Sequence, residues 1–495
     1  MNDFSLLLPE FLLTGLAFIV LGVDLFLVER DKRYLPWVSS TGIVTILLIT
    51  MVLAENGQLY DGTLIFDDYT KVFRVFFLVS GLIVVLMSRD YVKTHLKYQG
   101  EYYAILVFTI VAAMLLASSA ELLTAYISLE LLSFGLYVLV AYDRYNPKSN
   151  EGSLKYILLG AFSSALILFG ISQIYGLTGS TRFDEISYVL SNTLELPAGL
   201  MVGLVLVIAG LGFKLAAVPF HMWAPDAYEG APLPVTAWLA VGSKAASIAL
   251  VMRFFAQALM PSISEWQYIV IVMSVLTMLV GNLSALVQKN IKRLLAYSSV
   301  GHVGYILMGI AALGSIGDDG SMQTVLSHLV SNGLMFHVVA YGITTLAAFL
   351  CLTVVHKHNC EEDISSLAGL SKTQPLVSLV LVSSLFSLAG LPVFIGFTSK
   401  FYLFNAVGAQ GLLWVVAIAI IASLISLYYY LMVARQLYIE EPKLGASVPV
   451  SLFTKVLLVS VLILIVVGGV YPSPLMEVIQ SATDAVISGS LVKFA

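Results

Sequence analysis

Gly212-Phe213-Lys214-Leu215-Ala216-Ala217-Val218-Pro219-Phe220-His221 closes a long apolar run that begins near Ala198. A lysine inside a stretch of membrane length is costly, about 2.5–3.5 kcal/mol at the bilayer centre. Pro219, five residues on, lacks a backbone donor, and its ring clashes with the carbonyl four residues back. A spanning helix that breaks beside a buried amine is poorly suited to anchoring. It suits a place where an ion or a proton pauses in mid-membrane.

The surrounding chain has the same character. Its 495 residues are 59% hydrophobic and 11% charged, and the mean hydropathy is +0.94. Soluble proteins carry about 25% charged residues. Apolar runs of membrane length recur between short polar breaks, without the alternation of a membrane barrel. The expected class is an all-α membrane protein. Cys351 and Cys360 lie nine apart with no second pair, so neither a cysteine-bound iron–sulfur cluster nor a metal site is expected. No Walker or Rossmann glycine pattern occurs. Met1-Asn2-Asp3 places no basic residue before the first apolar run, which therefore reads as a spanning segment rather than a cleaved signal.

Fourteen spanning segments are expected, near 6–28, 36–54, 71–88, 102–118, 122–142, 153–175, 199–223, 231–258, 266–288, 295–313, 322–352, 374–407, 411–437 and 455–472. The twelfth contains Gly390-Leu391-Pro392 and Gly396 and is expected to break like the seventh. Two interrupted segments five apart suggest repeats of segments 4–8 and 9–13. The chain then divides into 1–100 (segments 1–3), 101–260 (first repeat), 261–440 (second repeat) and 441–495 (segment 14 and tail).

Lys and Arg placement orients these segments. Arg30, Lys32, Arg33, Arg89, Lys93, Lys97, Arg144, Lys148, Lys289, Lys292, Arg293, Lys357, Lys372, Arg435, Lys443 and Lys455 fall on one side. Only Lys71, Arg74, Arg182, Arg253 and Lys493 fall on the other. The first side reads as cytoplasmic, with both termini outside; an odd number of segments would scramble this alternation. Lys289, Lys292 and Arg293 read as topology anchors, and Glu10 and Asp24, near opposite ends of segment 1, as surface or interface groups.

Four lysines remain inside apolar runs: Lys155, Lys214, Lys244 and Lys400. Lys155 lies about one turn inside segment 6, within snorkelling reach of the cytoplasm. The other three sit deeper, and Glu130 on segment 5 adds a carboxylate near mid-membrane. A buried lysine that gains and loses a carboxylate partner takes up and releases a proton. Moving one charge against 150–200 mV costs about 3.5–4.6 kcal/mol, which a swing of about three pKa units covers. The lesser alternatives are that a single Glu130–Lys214 pair is a clasp between helices and that Lys400 snorkels. A purely structural role for all four is disfavoured, because apolar packing would be more stable. His221 either extends the path or satisfies carbonyls at the break, and His302 is either a relay or a packed polar group. His328 and Asn332 share a helix face. His337 reads as structural or as facing another protein.

Leu8-Pro9-Glu10-Phe11, Leu129-Glu130-Leu131-Leu132-Ser133, the stretch Gly212 to Pro234 and Asn290-Ile291-Lys292-Arg293-Leu294-Leu295-Ala296-Tyr297-Ser298-Ser299 carry a resemblance. They are similar to the antiporter-like membrane subunits of respiratory complex I, over essentially the whole chain. Within that family the chain resembles most the subunit N branch, which lacks a long C-terminal lateral helix. The resemblance implies a proton-translocating subunit of an NADH–quinone oxidoreductase. Glu130 then matches the glutamate that pairs with the seventh-segment lysine, Lys214. Lys244 matches the central lysine, and Lys400, within Gly396-Phe397-Thr398-Ser399-Lys400-Phe401, the terminal one. Lys155, His221, His302 and His328 are secondary path candidates. His328 departs from the branch and looks more like its sisters. No cofactor is expected in this chain; NADH or another donor, flavin, iron–sulfur clusters and quinone belong to partner subunits. The implied partners are membrane and peripheral subunits and the lipid bilayer, without nucleic acid, in a bacterial inner membrane. A multi-subunit sodium/proton antiporter and a membrane-bound hydrogenase-type complex are the alternatives.

Overall fold

A computed structural model of the protein describes residues 4–53, 55–193, 195–314, 321–359, 362–442 and 450–491. The helices, in chain order, are α1 (Leu8–Phe26), α2 (Leu35–Leu53), α3 (Asp68–His95), α4 (Gln99–Ser118), α5 (Leu122–Val140), α6 (Pro147–Thr178), α7 (Phe183–Ser191) and α8 (Ala198–Leu215). Next come α9 (Trp223–Gly230), α10 (Leu233–Trp238), α11 (Lys244–Phe254), α12 (Ile263–Leu286), α13 (Ile291–Ala311) and α14 (Ser321–Asn359). The last are α15 (Leu370–Thr373), α16 (Pro375–Ala389), α17 (Ile395–Ala409), α18 (Leu413–Tyr438), α19 (Leu452–Val470) and α20 (Ser473–Leu491). The protein is all-α in class. Among the described residues the one sheet is a hairpin of β1 (Gly57–Leu59) and β2 (Leu64–Phe66), with Gly57 opposite Phe66 and Leu59 opposite Leu64.

Twelve helical runs among the described residues are long and apolar enough to cross a membrane, with Leu233–Leu286 counted as one run. That run is interrupted by a π-helical turn at Phe255–Leu259 and a 3-10 turn holding Pro261. Pro375–Ala389 is a shorter apolar helix. Sequence chemistry sets the helix ends. Glu121 accepts hydrogen bonds from the amides of Leu123 and Thr124 and starts α5. Asn290 accepts from Lys292 and Arg293 and starts α13. Asn146 precedes Pro147 at the start of α6, which stops at Gly179 with φ of 75°.

Burial sorts the helices into a centre and a rim. The most apolar stretch of α13 is 94% buried and that of α19 only 17%, so α13 is central and α19 lies at the rim. α12 packs on α13 through glycines. A Cβ on Gly281 would stand 2.6 Å from the Gly301 nitrogen, which only bare backbone permits.

Several expectations are corrected. Glu10 is not a surface group: it is 2% exposed and forms a bidentate pair with Arg74 at 2.7 and 2.8 Å. Asp24 does lie near the surface, 3.5 Å from Lys32. Arg74 and Arg253, read as helix-end charges, are buried. Arg253 pairs with Asp67 through two 2.9 Å bonds and donates to Thr70 at 3.0 Å. The stretch after segment 14 is no mere tail: α20 lies back across the bundle, burying Ile479, Ala482 and Val486. Cys351 is buried, and Cys360 lies outside the described residues.

Removing one partner of a buried pair leaves an uncompensated charge. Glu10→Ala should destabilise the protein by about 3–5 kcal/mol, whereas Glu10→Leu combined with Arg74→Met should cost less. Thermal melting of the purified protein in mild detergent checks both.

Candidate functional site

Lys214 occupies the last turn of α8. The helix stops because Ala216 turns left-handed, with φ of 61°, and Ala217 N–H returns to the Gly212 carbonyl at 2.7 Å. The stop is locked from outside: Trp223 donates to the Phe213 carbonyl at 2.9 Å, and Val218 N–H to Thr277 Oγ1 at 2.9 Å. The Val218–Pro219 peptide is cis. Lys214 Nζ lies 3.0 Å from Glu130 Oε1 and 2.9 Å from Ser133 Oγ, with Ser164 Oγ at 3.5 Å. Ser164 also donates to Glu130 at 2.6 Å. An ammonium has three N–H donors, and each finds an oxygen here.

Lys244 follows a π-helical turn at Leu239–Ser243, an irregularity frequent at functional sites. The amine is 1% exposed. Its one hydrogen-bond acceptor among the described residues is Ser299 Oγ at 2.7 Å, and the Tyr228 ring lies 5.9 Å away. One turn along α13, His302 Nδ1 stands 3.4 Å from His337 Nε2, and His337 Nδ1 stands 3.0 Å from Ser399 Oγ. Ser399 precedes Lys400. Lys400 Nζ donates to the Leu388 carbonyl at 2.8 Å, the Ala389 carbonyl at 3.0 Å and Ser423 Oγ at 2.9 Å. The amine thus caps α16 at its break, where Gly390 has φ of 87° and a Cβ would crowd the lysine. Groups that can hold or pass a proton are thus strung between Lys244 and Lys400, with hydrogen-bond contacts from Lys244 to Ser299, from His302 to His337 and from His337 to Ser399.

The other candidates divide. Lys155 lies at the basic end of the bundle, 2.7 Å from both Glu151 and Asp226. Arg293 bridges Asp226 and Glu229 at 2.6 and 2.9 Å, and Lys148 pairs with Glu229 at 2.7 Å. His221 packs 6.5 Å from the Tyr297 ring, centroid to centroid, with no hydrogen bond to Lys214 among the described residues. His328 is away from the line: it pairs with Asp484 of α20 at 2.9 Å, and neighbouring Asn332 accepts from Thr483. His337, expected to be structural or to face another protein, is 1% exposed and stacks on His302 at 5.4 Å. Lys292, expected to mark topology, is buried and bonded to Glu362. Ser133, Ser164, Ser299, Ser399 and Ser423 join the site beside the residues that sequence singles out. Ser133 and Ser399 carried a usable signal, lying three residues from Glu130 and one from Lys400.

Among the described residues no three His, Cys, Asp or Glu side chains converge as metal ligands. The arrangement offers a set of proton-binding groups.

Residues 119–337 and 330–426 match a family described as NADH:quinone oxidoreductase/Mrp antiporter, transmembrane. NADH-quinone oxidoreductase subunit N of Desulforamulus reducens is 38% identical to this chain, over 98% of each protein. A chain of respiratory complex I from Thermus thermophilus with bound aureothin superposes with a TM-score of 0.79 at 26% identity, covering 96% of this chain and 99% of that one. A chain of the membrane-bound sulfane sulfur reductase, an archaeal respiratory membrane complex, gives 0.85 at 25% identity and 99% coverage of both.

The ionic cluster at the basic end sets an acid limit. Burial opposes ionisation of Asp226, but hydrogen bonds from Lys155 and Arg293 hold its carboxyl below the ordinary value; Lys148 and Arg293 do the same for Glu229. Their stabilisation is fully present above about pH 4 and is lost as pH falls through the lowered folded values. The melting temperature should drop on acidification below about pH 4, less steeply in Asp226→Asn with Glu229→Gln. A pH series of thermal melts measures the difference.

Proposed function

Because the chain belongs to the NADH:quinone oxidoreductase/Mrp antiporter transmembrane family, in its subunit N branch, we propose that it carries protons across a bacterial inner membrane as a subunit of an NADH–quinone oxidoreductase. The observation that carries this reading is the set of three buried amines, Lys214, Lys244 and Lys400, with hydroxyl and imidazole groups lying between the second and the third.

Glu130 holds the proton on Lys214 while the two are 3.0 Å apart. When a neighbouring subunit draws Glu130 away, the Lys214 ammonium loses its counter-charge and gives up a proton towards Lys244, with water completing that step. Lys244 is suited to brief occupancy, since the described protein groups offer its charge a single acceptor. The proton moves on by Ser299, His302, His337 and Ser399 to Lys400, whose three oxygen partners solvate the charge again. Lys155 and the carboxylates around it gather protons at the cytoplasmic surface, and His221 lies at the broken end of α8 as a secondary group. The basic end faces the cytoplasm and both termini face outward, as the charge asymmetry requires. NADH, flavin, iron–sulfur clusters and quinone belong to partner subunits in this reading.

The repeat of segments 4–8 and 9–13 has support in the paired breaks. α8 and α16 both end in a left-handed residue, and a lysine amine lies beside each end.

Lys214→Ala or Glu130→Ala in the assembled complex should lower proton flow through this chain, and so reduce the protons pumped per electron pair. The check is proton uptake against NADH oxidation in inverted membrane vesicles. Parental ratios in both variants, at normal assembly, would refute the proposal.

A further inference from the structure

Lys292 and Glu362 form a second buried lysine–glutamate pair, and the path above does not use it. Lys292 is 2% exposed, and its Nζ donates to Glu362 Oε1 at 2.8 Å and to the Ala231 carbonyl at 2.8 Å. Asn290 Nδ2 holds the other carboxylate oxygen at 3.2 Å. The Glu362 side chain is 21% exposed, so one end of the pair reaches the basic surface of the bundle while the other is sealed within it.

Lys292 shares α13 with the hydroxyl that receives Lys244. Lys292 and Ser299 are seven residues apart on α13, which puts them on one face and about 10.5 Å apart along the axis. Ser299 receives the Lys244 amine at 2.7 Å and lies 3.4 Å from the Tyr228 hydroxyl. Tyr228 and Ala231 are three apart at the end of α9, so Lys292 and Ser299 close on the same turn from its two sides. We propose that Lys292 and Glu362 are a second proton inlet, which charges Lys244 directly from the cytoplasmic side without passing Glu130 and Lys214. This rests on the reading of Lys244 as a carrier.

The step balances without any redox change. An N–H bond breaks on the Lys292 ammonium, and a proton passes by water and the Ser299 or Tyr228 hydroxyl to form an N–H bond on neutral Lys244. Glu362 then takes a proton from cytoplasmic water, forming an O–H bond, and hands it to the Lys292 amine. Asn290 and Ala231 position the pair throughout. A simple clasp between the start of α13 and the loop after α14 would need the bonds but no exchangeable proton.

The test uses the whole complex in proteoliposomes, reading protons pumped per electron pair at matched assembly. Lys244→Met is the control for the underlying reading: an unchanged ratio there removes the carrier itself. With the control lowered, Glu362→Gln, which keeps one oxygen acceptor for Lys292, should lower the ratio, and Glu362→Asp should restore it. Combined with Glu130→Gln, it should bring the ratio down to that of Lys244→Met. If Glu362→Gln pumps at the parental ratio while Lys244→Met does not, the pair is only a clasp and the second inlet is wrong.

Discussion

A charge in hydrocarbon must bring its own solvation, and this bundle is arranged around that demand. It meets the demand in two ways. Arg74 and Arg253 each receive a carboxylate through two bonds, from Glu10 and Asp67. A guanidinium stays protonated throughout the physiological range, so these pairs are fixed fittings that hold the outer parts of α1, α3 and α11 together. The lysines are treated differently. Lys214 has one carboxylate and two hydroxyls, Lys244 one hydroxyl, and Lys400 two carbonyls and a hydroxyl. Amines with partners of graded strength can exchange a proton where a clamped arginine cannot.

The same division explains what could be read before any coordinates. Lys214, Lys244 and Lys400 were visible because a cation in an apolar run is rare enough to need a reason. The helix breaks were visible because Pro219 and Gly390-Leu391-Pro392 are punctuation. The pairing of Glu10 with Arg74 was not, since they lie 64 residues apart and each looks like an ordinary helix-end charge. Lys292 was misread for the same reason: it follows Lys289 and precedes Arg293, and the turn of α13 alone decides that it points inward. The serines were hidden by their frequency, because a hydroxyl that satisfies its own helix looks the same in sequence as one that receives an amine. Ser133 does both, donating to the Leu129 carbonyl at 2.8 Å while receiving Lys214.

α20 was equally hidden. Its apolar face buries Ile479, Ala482 and Val486, yet Ser, Thr, Gln, Glu and Asp interrupt its apolar residues too often for a spanning run. Lying across α14 and α3, it ties His328 and Asn332 to Asp484 and Thr483. That contact removes His328 from the interior line and leaves His337, nine residues further along α14, to meet His302. Two histidines on one helix thus do unlike work because one side of α14 is covered by α20 and the other by α13 and α17.

The seat of Lys400 couples a side-chain amine to the end of a helix. Its ammonium supplies three hydrogens to three oxygens, two of them the carbonyls where α16 stops. A neutral amine has only two hydrogens to give. Ser423 also donates to the Ala389 carbonyl at 3.1 Å, so of the two carbonyls at that joint only the one of Leu388 relies on the amine alone among the described contacts. The end of α16 is therefore tied to the charge of one side chain from the helix that follows it.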